Sequence, residues 1–168
     1  MANTSVFTGA DGSITLSAAQ GAEGEAAQDV LTAYELIAVG RAQNVRVEVH
    51  SELRAFHEIG QRYATQLRAG NVSIRGTIGR AYINGALLKL LLGEAGESRP
   101  AASWAQPSFN ITLLVQDAAN PGITSTVTIH DVKIEDWVYE MPEDAFVVEN
   151  AHFQALYLTV ADEASAPA

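Results

Sequence analysis

Between residues 44 and 53 the chain alternates strictly, with Val45, Val47 and Val49 on one side and Arg46, Glu48, His50 and Glu52 on the other. Successive side chains of a strand point to opposite faces, so this stretch reads as a strand with one apolar face and one wet face. A sheet laid over a core follows. Residues 72–82 alternate as well, through Val72, Ile74, Ile78 and Tyr82, with Arg75 and Arg80 expected to break the surface between them. Gly76 and Gly79 let that strand bend or bulge.

Shorter signals extend the pattern. Residues 13–17 alternate through Ile14 and Leu16 after an Asp11-Gly12 turn, and residues 34–39 form an apolar run. Residues 109–116 and 123–134 flank the turn segment 117–122, with its Asn120-Pro121-Gly122, and read as a hairpin. In the second arm the apolar parity slips from Val127 and Ile129 to Val132 and Ile134, and again to Trp137 and Tyr139, which predicts bulges. A last strand is expected over 149–160, followed by a mobile tail of small residues, 161–168.

The period changes once. Asn84 can cap a short helix over 85–92, and Gly93 stands where a left-handed terminal residue is expected. Leucines wrap most of it, so it should plug the end or side of the sheet. Residues 18–33, rich in Gly, Ala and acid, and residues 94–107 read as loops. Residues 54–71 show no period and contain Gly60 and Gly70, so they read as a long excursion. Phe56, Ile59, Tyr63 and Leu67 make it too apolar for a solvated linker. It either folds back on its own domain or orders against another molecule. The fold class expected is mainly β: a single antiparallel barrel or sandwich domain, 1–168, with one short flanking helix and a long protruding loop.

Composition excludes several functions. The chain has 168 residues and no cysteine, so disulfides and thiolate metal sites are ruled out. Residues 1–12 hold no basic residue and no apolar run, unlike a secretory signal. The leucine-rich patch 86–92 falls far short of the roughly 20 residues a membrane helix needs. The net charge of −10 opposes tight binding of nucleic acid, which requires cations. The excess acid either keeps the protein soluble or makes a wall past which DNA slides without sticking.

Catalytic patterns are missing. His57-Glu58-Ile59-Gly60-Gln61 starts like a zinc-protease motif but has glutamine where the second histidine belongs. The other histidines, His50, His130 and His152, fall on separate elements with no metal-ligand spacing. Glu135/Asp136 and Glu143/Asp144 are neighbours, which on a strand face opposite ways. No nucleophile elbow or phosphate loop is present. No cofactor, metal site or enzymatic activity is expected. An aromatic platform for carbohydrate would have only Trp104, Trp137 and Tyr139 to draw on.

The run from Ile129 to Leu158 resembles the closing part of phage tail tube proteins: a strand with an aromatic, a proline corner, and a final strand of the type Glu-x-x-x-Phe-x-Ala. Here these are Trp137, Pro142, Glu149, Phe153 and Ala155. The long strand, excursion, return strand and short helix of the middle are similar to that family too, so the likeness covers 34–162.

The resemblance implies a β-barrel subunit of the contractile-tail type, related to tailocin and type VI secretion tubes. Such subunits join as hexameric rings and stack into a hollow virion tube, assembled in the host cytoplasm, without inserting in a membrane. The expected partners are other copies, sheath, baseplate, terminator and tape measure proteins, and DNA in transit. A terminator or baseplate ring protein, or a type VI-like secretion tube, is the alternative among such assemblies, and a carbohydrate-binding β module is the alternative outside them. By position, the excursion would reach the neighbouring ring, burying Phe56, Ile59, Tyr63 and Leu67. Arg46, Glu48 and Glu52 are the candidates for a net-negative channel wall, although strand parity alone allows that face to lie outside.

Overall fold

A computed structural model describes residues 6–164. Residues 1–5, part of the segment read as no secretory signal, and residues 165–168 of the expected tail lie outside the described residues. The elements in order are β1 (Gly12–Ala18), α1 (Ala22–Ala33), β2 (Ala42–Phe56), β3 (Gln66–Ala81), α2 (Ala86–Leu92), β4 (Phe109–Gln116), β5 (Ile123–Glu140), β6 (Val148–Ala155) and β7 (Tyr157–Ala164). Short 3-10 turns cover Gly9–Asp11 and Gly93–Gly96.

All strand pairs are antiparallel, in the order β1-β4-β5-β6-β3-β2, with β7 also paired to β5. The mainly β expectation holds. The sheet folds over on β5, whose first half pairs with β4 and β7 and whose second half pairs with β6. Both parity slips fall where that strand turns. The partner register skips between Ile129 and Val132, where Asp131 has φ +54°, and skips again between Ile134 and Asp136. Each bulge adds a residue and sharpens the local twist, bending one long strand around the core.

Four expectations need correction. Residues 22–33 form helix α1 instead of a loop. Its buried stripe is Gly24, Ala27 and Leu31, so only one large side chain marks the inner face. Glu23 and Glu25 lie in its first turn, at the positive end of the helix dipole. The fold therefore has two α-helices where one was expected. Half of the excursion over 54–71 is strand: β2 runs to Phe56 and β3 starts at Gln66, leaving 57–65 as the connection. The last strand over 149–160 is two strands broken at Leu156, and 161–164 of the expected tail belong to β7.

Arg80 is the fourth. It does not break the surface: it is buried and ion-paired with buried Glu149 at 2.5 Å. Trp137 Nε1 donates to the other oxygen of Glu149 at 2.7 Å, and an Arg80 amine nitrogen donates to the backbone and side-chain oxygens of Asn84. Two charges are tolerated there because the surrounding donors and acceptors satisfy both.

The expected short helix is present. Asn84 Oδ1 accepts from the Ala86 amide at 3.3 Å, and Gly93 adopts φ +56°. Ala86, Leu87 and Leu90 are buried, and α2 packs on β5 and on α1. The 34–39 run turns through Glu35 and makes a single bridge from Ala38 to Thr15 of β1. Leu16, Leu31, Ile78, Phe109, Ile111, Ile129, Ile134 and Phe153 form the centre of the core.

Candidate assembly surface

β2 pairs with β3 on one side, and among the described residues no strand covers its other side. Its 15 residues thus present a long unsatisfied edge, which monomeric proteins usually shorten, charge or cover. β3 pairs with β6 only from Ile74 onward, so before that point β2 and β3 continue alone as a two-stranded arm. The ladder skips once between Ser51 and Leu53 and then pairs Leu53 with Ala69 and Phe56 with Gln66. At the tip, the Thr65 amide donates to the Phe56 carbonyl at 2.9 Å, and Gly60 adopts φ +86°.

The arm is apolar without a core. Phe56 is 55% exposed, Ile59 106%, Tyr63 88% and Leu67 68%, so all four residues named from sequence sit free on its end. Leu53 and Val72 add to the same exposed set along its length, and Val49 stands exposed at its base opposite Ile74; sequence reading did not single out Leu53 or Val72 as exposed. The signal was available, since Leu53 and Val72 flank an excursion already judged too apolar for solvent.

The wet face of β2 continues across the neighbouring strands. Arg46 and Glu48 form an exposed ion pair, and Glu52 accepts from Arg54 at 3.1 Å. Glu52 also lies over Gly70, where a Cβ would come within 2.8 Å of its carboxylate. Arg46, Glu48, Arg75, Glu135, Asp136 and His152 line one shallow depression on this face. Gln154 donates to Glu135 at 2.8 Å, and His152 Nδ1 stands 3.5 Å from Asp136. Three carboxylates face two guanidiniums in this patch.

Histidines do not converge. His130 stacks on Tyr157 with centroids 4.3 Å apart and meets Thr159 Oγ1 at 3.0 Å, while His50 and His57 stand exposed on β2 and the arm tip. Among the described residues no three metal-ligating groups gather. Trp137 packs against the core and stacks on Tyr139 at 5.5 Å, and Trp104 lies beside Leu91 and Leu92. No helix of the described residues is long and apolar enough to cross a membrane.

Shifted carboxylates lie elsewhere. The hydrogen bond and charge of Lys89 hold Glu97 below its usual range, and the same contact raises Lys89. Asp117 is lowered by hydrogen bonds from the Asn120 side chain and the Ala119 amide, which lock the β4–β5 turn.

No protein-family model matches the chain, and no curated protein matches its sequence. Solved structures do match in shape. One is the sheath/tube terminator of an extracellular contractile injection system, PVC, with TM-score 0.64, 9% identity, and coverage of 95% of this chain and 99% of that one. Another is the tube-terminating cap of the anti-feeding prophage, with TM-score 0.65, 8% identity, and coverage of 96% and 95%. The SPP1 tail tube matches with TM-score 0.58, 12% identity, and coverage of 95% and 81%.

The fold is that of tail-tube and tube-terminator proteins. The resemblance read from 34–162 is thus borne out as a fold over nearly the whole chain. At such low identity the likeness resides in strand order and connectivity. The Glu-x-x-x-Phe-x-Ala run gains a physical reading within this tail-tube fold. Glu149 holds Arg80 and Trp137, and Phe153 lies over Gly76, where a Cβ would come within 2.3 Å of its ring.

Proposed function

We propose that the chain is a structural subunit of a phage-like tail or contractile injection particle, polymerising as stacked hexameric rings into its hollow tube. The observation that carries this reading is an unpaired 15-residue edge strand running into an exposed apolar arm, on a tail-tube fold. Joining edge to edge satisfies the free backbone groups of β2, and a head-to-tail contact that does not close on itself grows a filament. The baseplate of the anti-feeding prophage, to which the chain is also similar, was solved with 6-fold symmetry, which supports a six-membered ring.

In this reading Phe56, Ile59, Tyr63 and Leu67 are buried between rings. Arg46, Glu48 and Glu52 face the channel, whose net-negative wall lets DNA slide through without sticking. The work is architectural and calls for no catalysis or cofactor. Sheath, baseplate, terminator and tape measure proteins are its partners in the tail, and assembly takes place in the host cytoplasm.

A second reading is favoured by the two terminator structures, which match with TM-scores of 0.64 and 0.65 against 0.61 for the PVC sheath-tube complex. A terminator would form one ring and stop. Sedimentation velocity of the full chain, and of a chain lacking 57–65, separates these outcomes. Large polydisperse species from the full chain, falling to ring size or below on deletion, support the tube. A single ring-sized boundary from the full chain selects the terminator. Long polymers that persist after deletion contradict the role given to the arm.

A further inference from the structure

The body has a second exposed apolar patch, at the pole opposite the arm tip. β3 starts at the tip and ends at Ala81, about 50 Å away at roughly 3.3 Å per residue. β5 is antiparallel to β6, which is antiparallel to β3, so β5 ends at that same far pole. The segment 141–147 therefore meets the segment after β3 there. The Tyr82 amide donates to the Val147 carbonyl at 2.9 Å, and the Tyr82 ring stands edge-on to Tyr139 at 4.9 Å. Around this contact Ile83 is 50% exposed, Met141 69% and Phe146 85%.

The two poles carry opposite charge. The arm holds Arg54, Arg62 and Arg68 against Glu58 and a partly buried Glu52 that is paired with Arg54, a net positive balance in a chain with 20 acidic and 10 basic residues. At the far pole, residues 140–147 hold Glu140, Glu143 and Asp144 and no lysine or arginine, against Arg41, whose carbonyl accepts from the Ala81 amide, a net negative balance. Apart from Glu52, these charged side chains are exposed. An apolar, basic arm and an apolar, acidic pole on the same molecule are complementary, and their separation prevents one copy from satisfying itself.

We propose that the far pole, built from Tyr82, Ile83, Met141 and Phe146 and rimmed by Glu140, Glu143 and Asp144, seats the arm of a second copy of this chain. The contact is heterologous: each copy gives its arm to one neighbour and receives an arm from another, so the chain of contacts stays open. Apolar burial supplies adhesion, and the charges set polarity by penalising arm-to-arm and pole-to-pole encounters. The proposal deepens the tube reading by naming the surface that receives the arm, and it rests on that reading.

Because the chain contains no cysteine, a single introduced pair reports the contact cleanly. Chains carrying Tyr63→Cys are co-assembled with chains carrying Phe146→Cys and oxidised, with Glu25→Cys on α1 as the control partner. The expected result is a disulfide-linked dimer from the first mixture, absent from the control. In parallel, R54E/R62E/R68E and E140R/E143R/D144R are each expected to abolish growth beyond single rings, and one chain carrying all six changes is expected to regain it. Co-assembled Tyr63→Cys and Phe146→Cys chains that polymerise without forming this crosslink, or polymers that tolerate either reversed pole alone, overturn the seat while leaving the tube reading standing. A wild-type chain that never associates overturns both.

Discussion

The folded-over sheet of the body and the arm are built from the same alternating strands, yet they dispose of their apolar side chains in opposite ways. In β2, Val45 and Val47 pack against the core, whereas Val49, Leu53 and Phe56 further along are exposed. In β3, Ile74 and Ile78 are buried and Val72 and Leu67 are not. The strand chemistry does not change at Ile74. What ends there is pairing with β6. The body encloses a core, and the arm carries an interior's side chains without an interior.

The most damaging way to break that comparison is to attack the body. Arg80→Ala leaves Glu149 buried and unpaired, a change that costs about 3–5 kcal/mol, and urea denaturation should show it as a lower midpoint with an unchanged slope. A smaller effect is expected from Gly76→Ala. Its Cβ would meet the Phe153 ring at 2.3 Å and the Arg46 carbonyl at 2.5 Å, and overpacking of this kind costs about 1–3 kcal/mol. The arm should behave otherwise. The double change Ile59→Ser with Tyr63→Ser removes exposed groups, so monomer stability should move by no more than about 0.5 kcal/mol while self-association is lost. A large fall in monomer stability would mean that the arm belongs to the body after all.

The smallest effect concerns the β4–β5 turn and sharpens the contrast through pH. Asp117 has a folded pKa below its ordinary 3.8, so its contribution is fully present above that value and is lost as pH falls through the lower folded value. Asp117→Asn should flatten this part of the acid limb of the stability profile slightly and leave assembly at neutral pH unchanged.

Much of this division was readable in the residues. The alternation over 44–53 and 72–82 located the long middle strands, the two parity slips located the bends of β5, and the apolar excess of 54–71 marked a segment whose apolar side chains are exposed in the fold. α1 stayed hidden because a stripe of Gly24, Ala27 and Leu31 buries little and leaves almost no hydrophobic period. The Arg80–Glu149 pair was missed although parity held the clue: Arg80 shares a face with Ile78, and Glu149 with Ala151 and Phe153. A charge at core parity on each of two neighbouring strands is the signature of a buried pair. The far pole could not be read from sequence, because 141–147 has no period and only the strand order brings it to Tyr82.

Negative-stain electron microscopy of the purified full chain tests the central claim most directly. Six-fold rings stacked into hollow rods are expected, with the β2 edge and the arm buried between copies. Particles that remain monomeric at high concentration, with edge and arm free in solution, would contradict it.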